Sequence, residues 1–162
     1  MAAIDIGPGA TDRAAAFGQY YTNIAKGNPA NLSGTLDHLD IWLQAYSSGT
    51  IDFATFYVVS GNYLSTRGTA LGLTPAAGDN DFDAPGDFTA FDVESGDYLG
   101  VYLPLGVNVE VDTTGGSGFW FKASDEIPCT NVEFSSNDSY ELSIGGTGSE
   151  PSTYTPRVIM IG

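Results

Sequence analysis

The stretch that decides the fold is Gly34-Thr-Leu-Asp-His-Leu-Asp-Ile-Trp-Leu-Gln-Ala45, followed by Tyr46-Ser-Ser-Gly-Thr50 and Ile51-Asp-Phe-Ala-Thr-Phe-Tyr-Val-Val-Ser60. In the first segment Leu39, Ile41, Leu43 and Ala45 fall on one face, and His38, Asp40, Trp42 and Gln44 on the other. In the second, Ile51, Phe53, Thr55, Tyr57 and Val59 oppose Asp52, Ala54, Phe56 and Val58. A period of two over ten or more residues is the mark of a half-buried strand, because successive side chains leave opposite sides of a pleated backbone. Ser47-Ser48-Gly49 reads as a turn, so the pair is expected to form an antiparallel hairpin. Gly61-Asn62 then turns the chain into a further strand, Tyr63 to Thr69.

Working outward, Ala3–Ile6, Thr22–Lys26, Phe88–Val93, Tyr98–Leu103, Val107–Asp112, Phe119–Lys122, Tyr140–Ile144 and Arg157–Ile161 read as short strands. Glu94-Ser95-Gly96-Asp97 and Gly115-Gly116-Ser117-Gly118 separate some of them as turns. The apolar run from Tyr98 to Leu103 predicts a strand buried on both faces. Residues 75–87, rich in Asp, Pro and Gly, read as loop. Thr11 to Tyr21 reads as extended chain with at most one helical turn, since Gly18 and paired tyrosines oppose the helix that Asp12 and three alanines would start. About ten short strands with little helix predict an all-β chain, an antiparallel β-sandwich wound in a jelly-roll-like way. The expected organisation is a single domain, with residues 1–26 as an extended arm and first strands and residues 27–162 as the sandwich.

Composition supports a folded β-protein: 162 residues, 21 glycines and nine each of Tyr and Phe. A chain of this length buries enough surface to fold without disulfide or metal staples. The net charge is −15, from 20 acids against five basic residues. From Gly68 to Phe121 there are nine carboxylates and no lysine or arginine. Such a charge repels phosphate backbones and anionic bilayers, so neither nucleic acid nor membrane is expected as a partner. It also opposes close packing of identical copies unless cations or salt screen it. The opening residues have neither a basic region nor an apolar core of the secretory kind, and no apolar run reaches the length of a membrane span. The expectation is synthesis in a host cytoplasm without a signal peptide.

The reactive inventory is small. One histidine, His38, and one cysteine, Cys129, exclude an internal disulfide; zinc is excluded on inventory, as a typical site needs three or four ligands drawn mostly from His and Cys, and nothing in the sequence pairs the two as base and nucleophile. Asp79, Asp81 and Asp83 alternate as in the first half of a calcium loop. Ala84 and Ala90 stand where an EF-hand needs Gly and Glu, so the choice lies between a calcium site completed by Asp87 or backbone carbonyls and a solvated acidic loop. Trp42, Tyr46, Phe119 and Trp120 are candidates for a glycan platform or for packing at a core or subunit interface. Phe119, Trp120 and Phe121 are consecutive and must point to both faces of their strand. No acid pair stands in a glycosidase context, and no enzyme activity is expected.

Five segments, Ala3-Ile-Asp-Ile-Gly-Pro-Gly-Ala-Thr-Asp-Arg13, Gly27-Asn-Pro-Ala-Asn31, Ala54-Thr-Phe-Tyr-Val-Val-Ser-Gly-Asn62, Ser95-Gly-Asp-Tyr-Leu-Gly-Val-Tyr102 and Gly116-Ser-Gly-Phe-Trp-Phe-Lys122, resemble a loosely defined group of β-rich proteins of bacteriophages and viral metagenomes. These motifs are strand and turn text, carry no catalytic residues, and span most of the chain. The resemblance implies a virion location and a structural role: a capsid decoration protein, or an appendage or fibre subunit, assembling with other virion subunits or as a homo-oligomer. A glycan-binding host-attachment module is the alternative, and a polysaccharide-cleaving enzyme a third reading.

Overall fold

In the computed structural model, residues 2–151 are described. Among them there is no helix, and the chain forms fifteen strands: β1 (Ala3–Ile6), β2 (Ala15–Phe17), β3 (Thr22–Ala25), β4 (Gly34–Ala45), β5 (Ile51–Ser60), β6 (Tyr63–Leu73), β7 (Gly78–Asp83), β8 (Phe91–Val93), β9 (Tyr98–Tyr102), β10 (Asn108–Asp112), β11 (Phe119–Lys122), β12 (Val132–Glu133), β13 (Ser135–Asn137), β14 (Glu141–Leu142) and β15 (Ile144–Ser149). The strand expected at Arg157–Ile161 lies outside the described residues.

Two antiparallel sheets result. The first runs β1-β15-β4-β10-β14, with β7 and β8 also pairing β4 and β2 pairing β10. The second runs β12-β6-β5-β9-β3-β11-β13. β4 is the spine of the first sheet: β15 covers one edge from Thr35 to Ile41, while β8 and then β7 cover the other from Gly34 to Leu43. Gly148 is required where β15 crosses β4, since a Cβ there would run into the Thr35 carbonyl.

The expected hairpin of residues 34–60 is not formed, because β4 and β5 lie in different sheets. Leu39, Ile41 and Leu43 on β4 and Ile51 and Phe53 on β5 belong to one buried cluster. Folding the chain over at Ser47-Ser48-Gly49 brings these apolar faces together, whereas a flat hairpin would leave both exposed on one side. The corner is held by Ser47 N–H to the Gly106 carbonyl, 3.2 Å, and by Tyr46 O–H to the Gly49 carbonyl, 3.0 Å. The true hairpin is β5–β6, around Gly61-Asn62 as expected, with β6 four residues longer than its predicted end at Thr69.

A second correction concerns residues 75–87, whose centre is a strand and not a loop. In β7, Asn80 and Phe82 point inward and Asp79, Asp81 and Asp83 outward. Turn-like composition hid that alternation. The buried Asn80 amide is satisfied locally, accepting from Ala76 N–H and donating to the Ala76 and Gly78 carbonyls at 2.8, 2.8 and 3.0 Å. Within residues 1–26, expected as an extended arm and first strands, β1 and β2 join the first sheet and β3 the second, with Ile4, Ile6, Ile24 and Ala25 wholly buried.

The main core lies between the sheets. A second cluster, Ile24, Ala54, Phe56, Leu64, Trp120, Ile127 and Phe134, packs separately. Its strand members have the opposite parity to Ala25, Phe53 and Phe119 of the main core, so it lies on the far face of the second sheet. Ile127 and Phe134 bracket the segment that covers that face. β9 is therefore buried on both sides, as its apolar run predicts.

Two carboxylates inside this framework make stability depend on pH. Burial pushes Glu110 above the usual carboxylate range although it accepts Arg13 N–H at 2.6 Å. Burial does the same to Asp52, which accepts Gly72 N–H at 2.8 Å. Each binds its proton more tightly folded than unfolded, so the resulting stabilisation is complete below the unfolded pKa and is lost as pH rises through the folded one. The thermal midpoint in chelator-treated buffer is expected to rise as pH is lowered from about 7 to about 5. A midpoint that only falls across this range would contradict the assignment.

Candidate metal centre on the acidic sheet face

β4 and β7 run antiparallel with His38 opposite Asp83, Asp40 opposite Asp81 and Trp42 opposite Asp79. All six side chains therefore stand on the outer face of the first sheet. On the other side of β4, Thr147 of β15 lies beside His38 and Gly145 beside Asp40, and Asp5 of β1 follows beyond Thr147. Carboxylates directly across an antiparallel pair repel. His38 stands between them.

The imidazole is fixed by its Nδ1, 2.7 Å from Asp83 Oδ1. An ionised carboxylate only accepts, so Nδ1 carries the hydrogen and donates it. Nε2 then points toward Asp40 Oδ1 at 3.5 Å and Asp81 Oδ1 at 3.6 Å. Burial alone would lower the imidazole pKa, but the Asp83 hydrogen bond and the charges of Asp40, Asp83 and Asp81 overcome it and raise the group above its ordinary value. Asp40 is pushed up by burial, relieved by His38 and pushed further by Asp81, Asp79 and Asp5. One ligand atom from each of His38, Asp40 and Asp81 lies within 4.8 Å of the others. One nitrogen and two carboxylate oxygens converge here, with a carboxylate behind the imidazole, a donor set that could hold a cation.

The residues read from sequence as a calcium set divide differently. Asp79, Asp81 and Asp83 follow one another at two-residue spacing along a strand, about 6–7 Å apart, too far to wrap one ion as a loop does. Asp87 closes the following turn, accepting Asp83 N–H at 2.8 Å. Asp81 instead meets Asp40 and His38 from the neighbouring strand.

Nor are the four aromatics brought together. Trp42 is half-buried on the acidic face opposite Asp79. Tyr46 packs against the main core from the corner, and Phe119 is buried within it. Trp120 is buried on the far face of the second sheet, its indole N–H donating to Asn62 Oδ1 at 3.0 Å. Cys129 packs beside that second cluster, with burial pushing its thiol up to about 11, and His38 stands on the outer face of the other sheet. A cleft of about 260 Å³ beside Gly72, Leu73, Thr74, Phe82, Gly86 and Asp87 holds one acid, the turn-closing Asp87.

A different feature stands at the end of β5–β6. Tyr57, Val58, Val59 and Tyr63 are exposed, Val59 by 49 %. Residues 53–66 contain no Asp, Glu, Lys or Arg. The adjoining Arg67 guanidinium lies over the Tyr57 ring at 4.6 Å. No protein-family model, curated protein or solved structure matches the chain.

Proposed function

We propose that this protein is a structural subunit that works through protein–protein assembly and not through catalysis, in a virion as a decoration or appendage component. The observation that carries the assembly reading is the β5–β6 hairpin end, where Tyr57, Val58, Val59 and Tyr63 present apolar surface in a segment without a charged residue. On a chain of net charge −15, an uncharged exposed stretch lowers the repulsion between copies and offers apolar area to bury, with Glu133 opposite Tyr63 at its margin. The virion placement rests on the sequence resemblance, and the partner proposed is a second copy of this chain. The finer winding we propose is jelly-roll-like, supported by the way consecutive strands such as β3, β4 and β5, or β9, β10 and β11, alternate between sheets.

Sedimentation velocity at about 0.15 M salt, where surface repulsion is screened beyond roughly 8 Å, tests the reading. The wild type is expected to self-associate. The double substitution Val58→Glu with Val59→Glu is expected to leave a folded monomer, since it places like charges in the contact at two exposed positions. A wild type that stays monomeric at high concentration would remove the basis of this reading.

A further inference from the structure

We propose that His38, Asp40 and Asp81 form a binding site for a divalent first-row transition ion of the zinc or cobalt kind, with Asp83 as the positioning residue behind the imidazole. This is independent of the assembly reading.

Three observations carry it. First, the spacing of the nitrogen from each oxygen fits: ligands about 2.0–2.2 Å from a tetrahedral ion lie about 3.3–3.6 Å from one another. Nε2 stands 3.5 Å from Asp40 Oδ1 and 3.6 Å from Asp81 Oδ1. Those separations are long for a direct hydrogen bond and suit an ion seated between the groups. Second, the ring is aimed. A metal-bound imidazole characteristically donates its other N–H to a carboxylate, which fixes the tautomer and leaves the coordinating lone pair free. His38 Nδ1 does this to Asp83 at 2.7 Å. Third, the ligands stand on paired strands: β4 is bonded to β15 and β7 along both edges where His38 and Asp40 project. Their Cβ positions are therefore held before any ion arrives.

The imidazole decides the class of ion. Calcium and magnesium prefer all-oxygen shells of six or more ligands, while nitrogen with two carboxylates suits zinc, cobalt and their neighbours. One histidine and one cysteine do not by themselves exclude zinc, because carboxylate oxygens are zinc ligands as well. The open positions are left to water, and Asp5 and Asp79, whose charges reach Asp40, favour the arrival of any cation.

The test is titration of the full chain with Co²⁺, followed by visible absorption, and with Zn²⁺ by calorimetry, both at about 0.15 M salt so that weakly held counter-ions are screened. One ion per chain is expected, with the d–d absorption of a low-coordinate cobalt centre. His38→Gln is expected to weaken binding by more than about 100-fold and to abolish the absorption, Asp81→Asn to weaken it strongly, and Asp83→Ala to weaken it by about 10–100-fold without changing the shape of the absorption. Asp83→Asn, which keeps an acceptor for Nδ1–H, is expected to recover part of that loss. The side chains are partly or largely exposed, and circular dichroism will check that each variant is folded. Binding of several ions per chain that His38→Gln leaves unchanged, or equal affinity for Ca²⁺ and Zn²⁺, would show only an acidic counter-ion atmosphere and overturn the proposal.

Discussion

Arg67→Met is expected to destabilise the fold by about 3–5 kcal/mol, and by more than Asp97→Ala, because it strands a buried carboxylate without its counter-ion. Asp97 is 2 % exposed and lies in the turn between β8 and β9. It receives Arg67 Nε at 2.6 Å, Arg67 Nη2 at 3.1 Å and Glu94 N–H at 2.8 Å. The guanidinium also reaches Glu94 at 3.2 Å. Asp97→Ala leaves Arg67 with that second, solvated partner and with the Tyr57 ring, so it costs less. The two penalties are set by what stays behind after each truncation, and burial settles the order. Urea denaturation of both variants measures the difference, and a loss near 4 kcal/mol lowers the thermal midpoint by on the order of 10 °C for a chain of this size. Equal, small losses would mean that solvent screens the pair. The same bridge ties β6 to the β8–β9 turn just below the exposed hairpin end, so Arg67→Met is also expected to weaken self-association.

Much of the fold was legible because it is local: the alternation in residues 34–45 places Leu39, Ile41 and Leu43 inside, and the structure agrees. Pairing was less so. A period of two says which face of a strand is buried but not whether its successor lies beside it or across the core, which depends on the apolar areas of both strands together. Hence β4 and β5 were expected in one hairpin and stand in two sheets. At β7 the period was present in Asp79-Asn80-Asp81-Phe82-Asp83, with an asparagine in an inward position. Asparagine reads as a turn former until its amide is found bonded to Ala76 and Gly78, contacts that only the folded chain supplies.

The candidate site was hidden for the same reason. His38 and Asp40 were already on the polar face of their strand, and Asp79, Asp81 and Asp83 were already a candidate cation set. The missing step was the register that sets His38 opposite Asp83 and Asp40 opposite Asp81. Once residues 78–83 are read as a strand, His-x-Asp against Asp-x-Asp is the signal for the site, because antiparallel neighbours put alternating residues on one shared face.

Trp120→Ala is expected to cost about 3–5 kcal/mol, with the loss confined first to one layer of the molecule. Trp120 is 6 % exposed, meets Tyr98 edge-on at 4.9 Å between ring centroids, and lies under Lys26 Nζ at 4.8 Å. Its indole N–H bonds Asn62 in the hairpin turn, whose carbonyl accepts Phe134 N–H at 2.9 Å from the covering segment. One ring thus joins the second sheet, the hairpin end and the segment around Ile127 to Phe134. Trp120→Phe keeps an aromatic ring against Tyr98 and loses chiefly the bond to Asn62, so about 1–2 kcal/mol is expected. Hydrogen exchange separates layer from whole: in Trp120→Ala, amides at 57–64 and 127–134 should exchange early, while those of β4 and β15 keep their protection until global unfolding. Uniform loss of protection would mean that the second cluster and the main core fold as one unit. A Trp120 serving as a sugar platform would show the reverse pattern, losing glycan binding on substitution with alanine while stability and exchange stayed as they were.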